Sequence, residues 1–398
     1  LGLPLVVLYG LGTTIGAGIY ALTGEVAASA GYLAPLSFLA AAILAGFTAF
    51  SFAEMCSRFP RAAGEAVYVT EGLRQPKLGT AVGLLVALAA SVSSAALINS
   101  FFGYLGEFVE APRAIVIFGL AVMIGLVAIW GITESVAVAS VFTLVEIAGL
   151  IIVIAVTRET LTGLPLSTPD GWAGDPELWS GVFGATLLAF YAFLGFEDMV
   201  NVAEEVRDVE RIMPHAILIT LVVTALLYVV LTLSAVITVA PAELAASAAP
   251  LALVYERATG QAATPVAGIA LFAVINGALI QTIMASRILY GLASQRKLPA
   301  WLGTVNRFTQ TPVNATIVVA FVICMLALWL PLARLAETTS TITLGVFTLV
   351  NLALWRLKTR EPAQPHVWQV PLWVPVTGFW VSLGFMAYGV ARVVADIL

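Results

Sequence analysis

The stretch Gly10-Leu11-Gly12-Thr13-Thr14-Ile15-Gly16-Ala17-Gly18 lies in the middle of the first long apolar segment of the chain. Its four glycines and two β-branched threonines weaken a helix, because each glycine costs about 1 kcal/mol relative to alanine in a helix interior. An unwound stretch inside a bilayer exposes backbone N–H and C=O groups that lipid cannot satisfy. Such groups are tolerated only where they line a cavity or bind a ligand, so this stretch predicts a site within a membrane.

The composition of the whole chain indicates the same environment. Hydrophobic residues make up 61% of the 398 positions and charged residues 10%, which leaves too little polar surface for a water-soluble globule. Since a helical span uses roughly 20 apolar residues, the chain has room for about eleven or twelve spans. The net charge of -5 argues against nucleic acid as a partner. Cys56 and Cys324 lie in apolar stretches without metal-ligand spacing, so we expect neither a metal nor a cofactor.

Apolar runs, and the charged or Pro/Gly-rich segments between them, predict eleven membrane-spanning helices in a lipid bilayer. The predicted spans are 3–30, 33–57, 78–105, 113–131, 135–157, 177–204, 214–239, 264–293, 312–330, 333–355 and 373–397. With the N-terminus in the cytoplasm, most arginines and lysines fall on the cytoplasmic side, as the positive-inside rule requires. We therefore expect a multi-pass protein of the plasma (inner) membrane with a cytoplasmic N-terminus.

The sixth span carries a second interruption. Its middle reads Tyr191-Ala192-Phe193-Leu194-Gly195-Phe196 and continues directly into Glu197, Asp198 and Asn201. Polar side chains at that depth are costly and therefore suggest a function. Close packing of glycine-rich spans is an alternative explanation, but it does not explain why the interrupted spans are the first and the sixth.

Interrupted first and sixth spans divide ten spans into two sets of five. The first set covers 1–157 and the second covers 177–355, while 356–398 holds a loop and at least one additional C-terminal span. Because each set contains an odd number of spans, the two halves are inverted relative to each other. The sequence thus predicts an all-α membrane protein with an inverted five-plus-five helix repeat, the arrangement of secondary transporters with a midplane substrate site.

Four segments in the expected order resemble motifs of the amino acid–polyamine–organocation transporters. They are Thr14-Ile15-Gly16-Ala17-Gly18-Ile19-Tyr20; Ala53-Glu54 with Arg58-Phe59-Pro60-Arg61-Ala62-Ala63-Gly64-Glu65; Phe190-Tyr191-Ala192-Phe193-Leu194-Gly195-Phe196-Glu197 with Ala203-Glu204-Glu205-Val206; and Ser286-Arg287-Ile288-Leu289-Tyr290 followed by Leu298-Pro299. The match covers nearly the whole chain. The resemblance implies a LeuT-like fold and an amino acid permease that works by alternating access.

The resemblance also implies how the substrate is bound. Backbone amides of Gly16–Gly18 would hold its carboxylate, and carbonyls at Thr14, Tyr191 and Leu194 would hold its ammonium group. The complete set of candidate residues is Thr14, Ile15, Gly16, Ala17, Gly18, Tyr191, Ala192, Phe193, Leu194, Gly195, Phe196, Ser93, Ser94 and Asn276. No acidic residue falls clearly at the far end of this pocket, which favours a neutral amino acid over arginine or a polyamine.

Glu146 lies in the middle of the fifth span, where proton-coupled relatives often have a lysine. Its carboxyl group is a candidate proton carrier, a ligand for a cation such as sodium, or a structural group bonded to the first span. Thr282 or Ser286 on the eighth span would complete a coupling site.

The sequence disfavours one alternative function and leaves several others open. An intramembrane enzyme is disfavoured because the chain has no HExxH, no Gly-x-Ser-x-Gly context and no facing aspartate pair. A carrier working uncoupled or by exchange, a polyamine carrier, a channel and a non-transporting sensor stay open. Nothing in the sequence requires an accessory subunit.

Overall fold

A computed structural model describes residues 1–60, 64–131, 136–162, 176–361 and 367–395. Every regular element within these residues is helical, which confirms the predicted all-α class. The α-helices are α1 (Leu3–Ala30), α2 (Ala34–Arg58), α3 (Gly64–Leu73), α4 (Pro76–Leu105), α5 (Arg113–Trp130), α6 (Val136–Val156), α7 (Arg158–Thr162), α8 (Pro176–Tyr191), α9 (Val209–Thr238), α10 (Pro241–Ala246), α11 (Pro250–Thr259), α12 (Thr264–Ser294), α13 (Val313–Trp329), α14 (Leu332–Arg360) and α15 (Trp373–Ala395). Short 3-10 helices cover Gly31–Leu33, Glu197–Glu205 and Ala300–Gly303.

The eleven predicted spans all coincide with helices. They correspond to α1, α2, α4, α5, α6, α8 with the 3-10 helix that follows it, α9, α12, α13, α14 and α15. In the described part of the chain, seven helices are long and apolar enough to cross a membrane. Four further apolar helices are shorter, and two of these, Leu3–Gly16 and Leu178–Tyr191, end at the predicted interruptions.

Proline and glycine set many of the helix boundaries. Proline occupies one of the first two positions of α1, α2, α4 and α12, where its missing N–H has no intrahelical partner to lose. Gly131 and Gly260 follow α5 and α11 with φ of 82° and 67°, the left-handed conformation that ends a helix at little steric cost for glycine. The segment boundaries read from the sequence therefore have a local cause.

Helix α1 runs through the centre of the bundle. It packs against α4, α6, α8, α9 and α12. Its side chains Val6, Ile15, Ile19 and Leu22 are fully buried. A helix that is apolar on all sides and enclosed by five others is a core element, so an interruption in α1 lies in the interior of the protein.

Helices at corresponding places in the two predicted halves contact each other. The first span packs on the sixth (α1 and α8), the second on the seventh (α2 and α9), the third on the eighth (α4 and α12) and the fourth on the ninth (α5 and α13). Helices related by a two-fold axis meet in this way when they lie near the axis. The pattern supports the inverted repeat over 1–157 and 177–355, which stays a prediction.

The face of the bundle that carries Leu1, here the N-terminal face, is held by a buried ion cluster. The Glu54 carboxylate is fully buried and accepts hydrogen bonds from Arg58 at 2.7 Å and from Lys358 at 2.8 Å. The backbone N–H of Val370 donates to the same carboxylate at 2.8 Å. These bonds tie α2 to α14 and to the segment before α15, so this end of the bundle is closed.

Candidate functional site

The first predicted interruption is present within α1. Gly16 has φ of -18° and ψ of -156°, far from helical values, while helical residues lie on both sides. Gly12, one turn earlier, packs so closely on α6 that a Cβ there would overlap the hydroxyl of Thr143. The glycines of this stretch therefore have two separate roles, since one breaks the helix and another brings α6 against the break.

The second interruption follows α8, which ends at Tyr191. The N–H groups of Ala192, Phe193 and Leu194 donate to carbonyls three residues earlier, at 3.0 to 3.1 Å, and the chain resumes as the 3-10 helix Glu197–Glu205. Gly195 has φ of +123°, a conformation that favours glycine. The sixth span is therefore discontinuous, as predicted.

The two interruptions lie directly against each other. A Cβ on Gly195 would overlap the carbonyl oxygen of Thr13, and a Cβ on Gly18 would lie 3.0 Å from the Cα of Ala192. The buried hydroxyl of Tyr228, on α9, lies 2.9 Å from the Thr14 carbonyl oxygen and 3.0 Å from that of Ala192. One O–H group thus serves a freed carbonyl from each interruption.

A cavity of about 40 Å³ lies between the interrupted segments. Eight predicted residues line it: Thr14, Gly16, Gly18, Ser93, Tyr191, Ala192, Leu194 and Asn276. The Tyr191 hydroxyl lies 3.0 Å from that of Ser93, which joins α8 to α4 across the cavity wall. A volume near that of one water molecule, about 30 Å³, is too small for an amino acid, so this is a closed conformation of the site.

Other predicted residues face elsewhere. Ser94 bonds to the Ala278 carbonyl at 3.1 Å and to the Thr282 hydroxyl at 3.1 Å, between α4 and α12. Phe193 packs edge-on against Tyr228, and Phe196 packs among Phe52 and Phe347. Ile15 is fully buried in the core, Gly195 meets the backbone of α1, and the side chain of Ala17 lies outside the described residues. These side chains support the site rather than line its cavity.

Glu146 lies on the cavity wall, and its carboxyl group makes few hydrogen bonds. Its side chain is 0% exposed, Oε1 lies 3.5 Å from Asn276 Nδ2, and Oε2 has no hydrogen-bond partner in the described structure. The Thr14 hydroxyl, on the same cavity, is buried and without a partner as well. Buried polar atoms without partners are costly unless a ligand, an ion or a proton satisfies them.

Comparison with known proteins identifies the family. A sequence profile described as amino acid permease matches residues 1–395. The chain belongs to this family. The permease is 30% identical over 392 aligned positions to the branched-chain amino acid permease BcaP of Bacillus subtilis (strain 168), covering 92% of the chain and 82% of that relative. It is a multi-pass membrane protein, as its family and its apolar helices show together.

Two further relatives differ in the compound that they are named for. The permease is 28% identical over 384 positions to the vacuolar cationic amino acid transporter 4 of Arabidopsis thaliana, covering 89% of the chain and 62% of that relative. It is 29% identical over 414 positions to the methylthioribose transporter of Bacillus subtilis (strain 168), covering 95% of the chain and 86% of the relative. The chain therefore spans somewhat less than two thirds of the plant transporter.

The candidate coupling residues on α12 of the permease do not join Glu146. The Thr282 hydroxyl donates to the Ala278 carbonyl at 2.7 Å, and the Ser286 hydroxyl donates to the Ile283 carbonyl at 2.8 Å. Both bonds lie within α12, and neither side chain lines the cavity beside Glu146. In this conformation these hydroxyls do not approach Glu146, whereas Asn276 Nδ2 lies 3.5 Å from its Oε1. The coupling role of Thr282 and Ser286 stays a prediction.

Acidic side chains lie closer to the cavity of the permease than the sequence predicted. Asp198 is 6% exposed and lines the cavity itself. A second cavity of about 30 Å³ adjoins it towards the N-terminal face and is lined by Glu65, Glu197 and Asp198. The sequence indicated no acidic residue at the far end of the pocket, whereas the 3-10 segment after Gly195 places Asp198 on the cavity wall. The preference for a neutral substrate stays a prediction.

Glu65 begins the helix α3, between the second and third spans. Burial raises the pKa of its carboxyl group from an ordinary value of 4.5 to about 7. Within the described residues, no group of three or more histidine, cysteine, aspartate or glutamate side chains could hold a metal ion. The adjoining cavity is lined by three carboxylate side chains.

Several other residues that line the cavity were not among the predicted binding residues. They are Gly12, Thr13, Leu97, Asp198, Gly277, Ile280 and Gln281. Gly12, Thr13 and Asp198 carried a signal, since they lie at the two predicted interruptions and Asp198 is an ionisable residue within a span. The others could have been found only from the rotation of α4 and α12 about their axes.

Proposed function

We propose that this permease is a secondary active transporter that moves an amino acid across a bilayer by alternating access. The carrying observation is the contact between two interrupted spans, at Gly16 and Gly195, around a closed polar cavity. Half-helix ends inside a membrane offer free N–H groups and carbonyls, which suit a zwitterion. A binding site of this kind needs no nucleophile, so transport explains the geometry better than catalysis does.

The substrate is proposed to bind through the main chain. The amides of Gly16–Gly18 would hold the carboxylate, since Gly16 and Gly18 line the cavity. The carbonyls of Tyr191 and Leu194 would hold the ammonium group, with the Thr14 carbonyl using the lone pair that Tyr228 leaves free. Tyr191 would close over the bound substrate, since its hydroxyl already bridges to α4.

Glu146 is proposed as the proton-coupling group. An ionised carboxylate that is fully buried and has no cation beside it is strongly disfavoured. It therefore carries a proton in this closed conformation and would release it when the cavity opens to water. A bound sodium ion, with Thr14 as a second ligand, is the alternative for the same group.

A neutral amino acid is the proposed substrate. The relative named for branched-chain amino acids supports this proposal, since it matches across most of its own length. A cationic amino acid or a polyamine is the second candidate, favoured by the Asp198 carboxylate on the cavity and by the plant relative named for cationic amino acids. The two candidates differ in charge, so competition by leucine, arginine and putrescine separates them.

The proposed location is the plasma (inner) membrane with the N-terminal face in the cytoplasm. Basic residues concentrated on the N-terminal side support this orientation. They are Arg58, Arg61, Arg74, Lys77, Arg207, Arg211, Arg296, Lys297, Arg307, Arg356, Lys358 and Arg360, against Arg113, Arg158, Arg257, Arg334 and Arg392 on the other side.

Two measurements test the function. In a thermal-shift screen of the purified protein against the twenty amino acids and common polyamines, a substrate raises the melting temperature because it binds only the folded state. Counterflow in proteoliposomes then tests transport: a carrier preloaded with unlabelled substrate accumulates labelled substrate, a channel dissipates the gradient, and a sensor moves nothing. Stabilisation without counterflow would contradict the carrier function, and accumulation that ignores a pH gradient would contradict proton coupling.

A further inference from the structure

A cavity larger than the two described above lies at the opposite face of the bundle from Leu1. Its volume is about 450 Å³, within the range of small-molecule binding sites. It is enclosed by α1 and α4, by the start of α5, by the connection between α10 and α11, and by the connection between α13 and α14. We refer to this cavity as the outer chamber.

The outer chamber follows the central cavity along the same two helices. On α1, Gly18 lines the central cavity and Ala21 lines the chamber. On α4, Leu97 lines the central cavity and Ser100 lines the chamber. Three residues of helix correspond to a rise of about 4.5 Å. The two cavities therefore lie about one helical turn apart along both helices.

Glu25 gives the chamber a negative charge that the protein does not balance. Its carboxylate lines the chamber, is partly buried, and makes no hydrogen bond or ion pair within the described residues. The nearest charged side chain acting on it is Glu337, which has the same sign. Glu337 is itself paired, at 3.0 Å with Arg392 and at 3.9 Å with Arg334. Glu25 is therefore available to a cationic group in the chamber.

Arg113 gives the chamber a positive charge with unused donors. Its guanidinium group donates to the Leu328 carbonyl at 3.2 Å, to the Ala327 carbonyl at 2.9 Å and to Asn99 Oδ1 at 2.7 Å. These three bonds use three of five N–H groups and hold the end of α13. The remaining two are available to an anion in the chamber, which the side chain lines.

Ser100 adds an unsatisfied polar atom to the same wall. It is 3% exposed, and its hydroxyl has no hydrogen-bond partner in the described structure. Buried hydroxyl groups are normally bonded, since leaving one unpaired costs about 1–3 kcal/mol. A buried, unpaired hydroxyl on a residue that lines the chamber therefore favours a ligand with hydrogen-bonding groups there.

We propose that the outer chamber is a second binding site for the amino acid zwitterion, with its ammonium group at Glu25 and its carboxylate at Arg113. The Ser100 hydroxyl contributes one further hydrogen bond to the same molecule. This proposal rests on the proposed transport function, since the chamber adjoins the central site. One free acid and one free base on a single cavity match a zwitterion better than an anion or a cation alone. The chamber site is weaker than the central one, because solvent-accessible charges bind weakly.

The test is equilibrium binding to the purified protein in detergent. The probe is the tritiated form of the amino acid that gives the largest thermal shift in the screen described above. We expect wild-type protein to bind a tight and a weak equivalent, while Glu25→Gln retains the tight one and loses the weak one. Ser100→Ala weakens only the weak component, by about tenfold for one lost hydrogen bond. The matched control is Glu243→Gln, which removes an exposed carboxylate of α10 that pairs with Arg257 and does not line the chamber.

Two analogues of the probe test the zwitterion assignment. The decarboxylated amine lacks the group for Arg113, and the deaminated acid lacks the group for Glu25. We expect neither analogue alone to displace the probe from the weak site. Displacement by the acid alone would make the chamber an anion site and overturn the proposal, and displacement by the amine alone would do the same in favour of a cation site.

The outcomes separate this proposal from the proposed function. A single tight equivalent that Glu25→Gln leaves unchanged would overturn the chamber site and leave the carrier function intact. Absence of any bound amino acid would contradict both. Melting temperatures of the variants, compared with the wild type, show whether a lost component reflects the missing contact or a misfolded protein.

Discussion

Two buried polar groups without a full set of hydrogen bonds lie at the proposed site. The Glu146 carboxyl and the Thr14 hydroxyl both belong to residues that line one cavity. Natural proteins usually satisfy such atoms in an interior. A substrate, an ion or a proton would supply the missing bonds in the proposed mechanism.

We expect Glu146→Gln to abolish the response of uptake to an imposed pH gradient while amino acid binding stays measurable. The amide is nearly isosteric with the carboxyl group but cannot exchange a proton. Uptake into proteoliposomes with and without a pH gradient measures the effect, and counterflow without a gradient is the internal control. Unchanged pH dependence would remove Glu146 from the coupling mechanism.

Tyr228→Phe is expected to destabilise the protein by about 1–3 kcal/mol, because it leaves buried carbonyls of both interruptions without their shared donor. Urea or thermal unfolding in detergent measures this loss. Tyr255→Phe on α11 is a suitable control, since its hydroxyl makes no hydrogen bond within the described structure. Equal stability of the two variants would contradict the bridging role of Tyr228.

The buried carboxyl group of Glu65 should lower the free energy of unfolding as the pH rises. Its pKa in the folded state, about 7, lies above the ordinary value of 4.5, so the folded protein holds this proton more tightly than the unfolded chain. The resulting stability is fully present below about pH 4.5 and is lost as the pH rises through about 7. Glu197 and Asp198 line the same cavity as Glu65.

Melting temperatures of the wild type and of Glu65→Gln between pH 4 and pH 8 measure this effect. We expect the variant to gain stability relative to the wild type as the pH rises through that range. Glu71→Gln, an exposed position on the same helix, is the control. Parallel curves for wild type and Glu65→Gln would contradict the assignment.

The sequence predicted which residue types form the site better than it predicted the directions in which their side chains point. Ser93 and Ser94 are adjacent serines, yet Ser93 faces the cavity and Ser94 faces α12. Neighbouring residues on a helix point about 100° apart, and an all-round apolar helix has no moment that fixes which one turns inward. Tyr228 was missed for a related reason, because its role depends on how closely α9 approaches α1.

At the scale of elements, both interruptions were predictable from composition. The glycine cluster in α1 and the single Gly195 after α8 mark places where a helix is weak, and the structure breaks at Gly16 and Gly195. The form of the continuation was not predictable. The segment after Gly195 becomes a 3-10 helix, whose three-residue turn brings Asp198 to the cavity.

Gly195→Ala tests the contact between these elements. A Cβ there is strained at a φ of +123° and would overlap the Thr13 carbonyl oxygen, so the two interruptions must separate. We expect a loss of about 1–3 kcal/mol or more in stability and a severe loss of counterflow. Gly119→Ala in α5 adds a Cβ that meets no atom within 4 Å and should change neither property. Normal counterflow by Gly195→Ala would contradict the proposed site.

At the scale of the molecule, the contacts repeat with a shift of five spans. The first span packs on the fifth and the seventh, and the sixth span correspondingly packs on the tenth and the second. This correspondence supports the inverted repeat that span counting predicts. The number of spans could be predicted from hydropathy alone. Which helices pack together depends on how their side chains fit in the interior, and this cannot be derived from any single segment of the sequence.

Cysteine labelling tests the proposed orientation of the whole molecule. In a background lacking Cys56 and Cys324, we expect Ala245→Cys to react with a membrane-impermeant maleimide in intact cells, because Ala245 lines the outer chamber. Gln295→Cys, exposed after α12 near the N-terminal face, should react only after permeabilisation. The reverse pattern would place the N-terminus outside the cytoplasm.

Helix α4 contributes to all three cavities in succession. Val86 lines the small cavity that Glu65, Glu197 and Asp198 share. Leu97 lines the central cavity and Gly103 lines the outer chamber. These positions span about 26 Å at 1.5 Å per residue, close to the thickness of a bilayer core. Positions along this one helix thus correspond to successive steps of the proposed transport path. Bulky substitutions placed at successive turns of α4 would each slow a different step, namely substrate entry, binding or release. The kinetic defect of each variant would identify the step that the substitution obstructs.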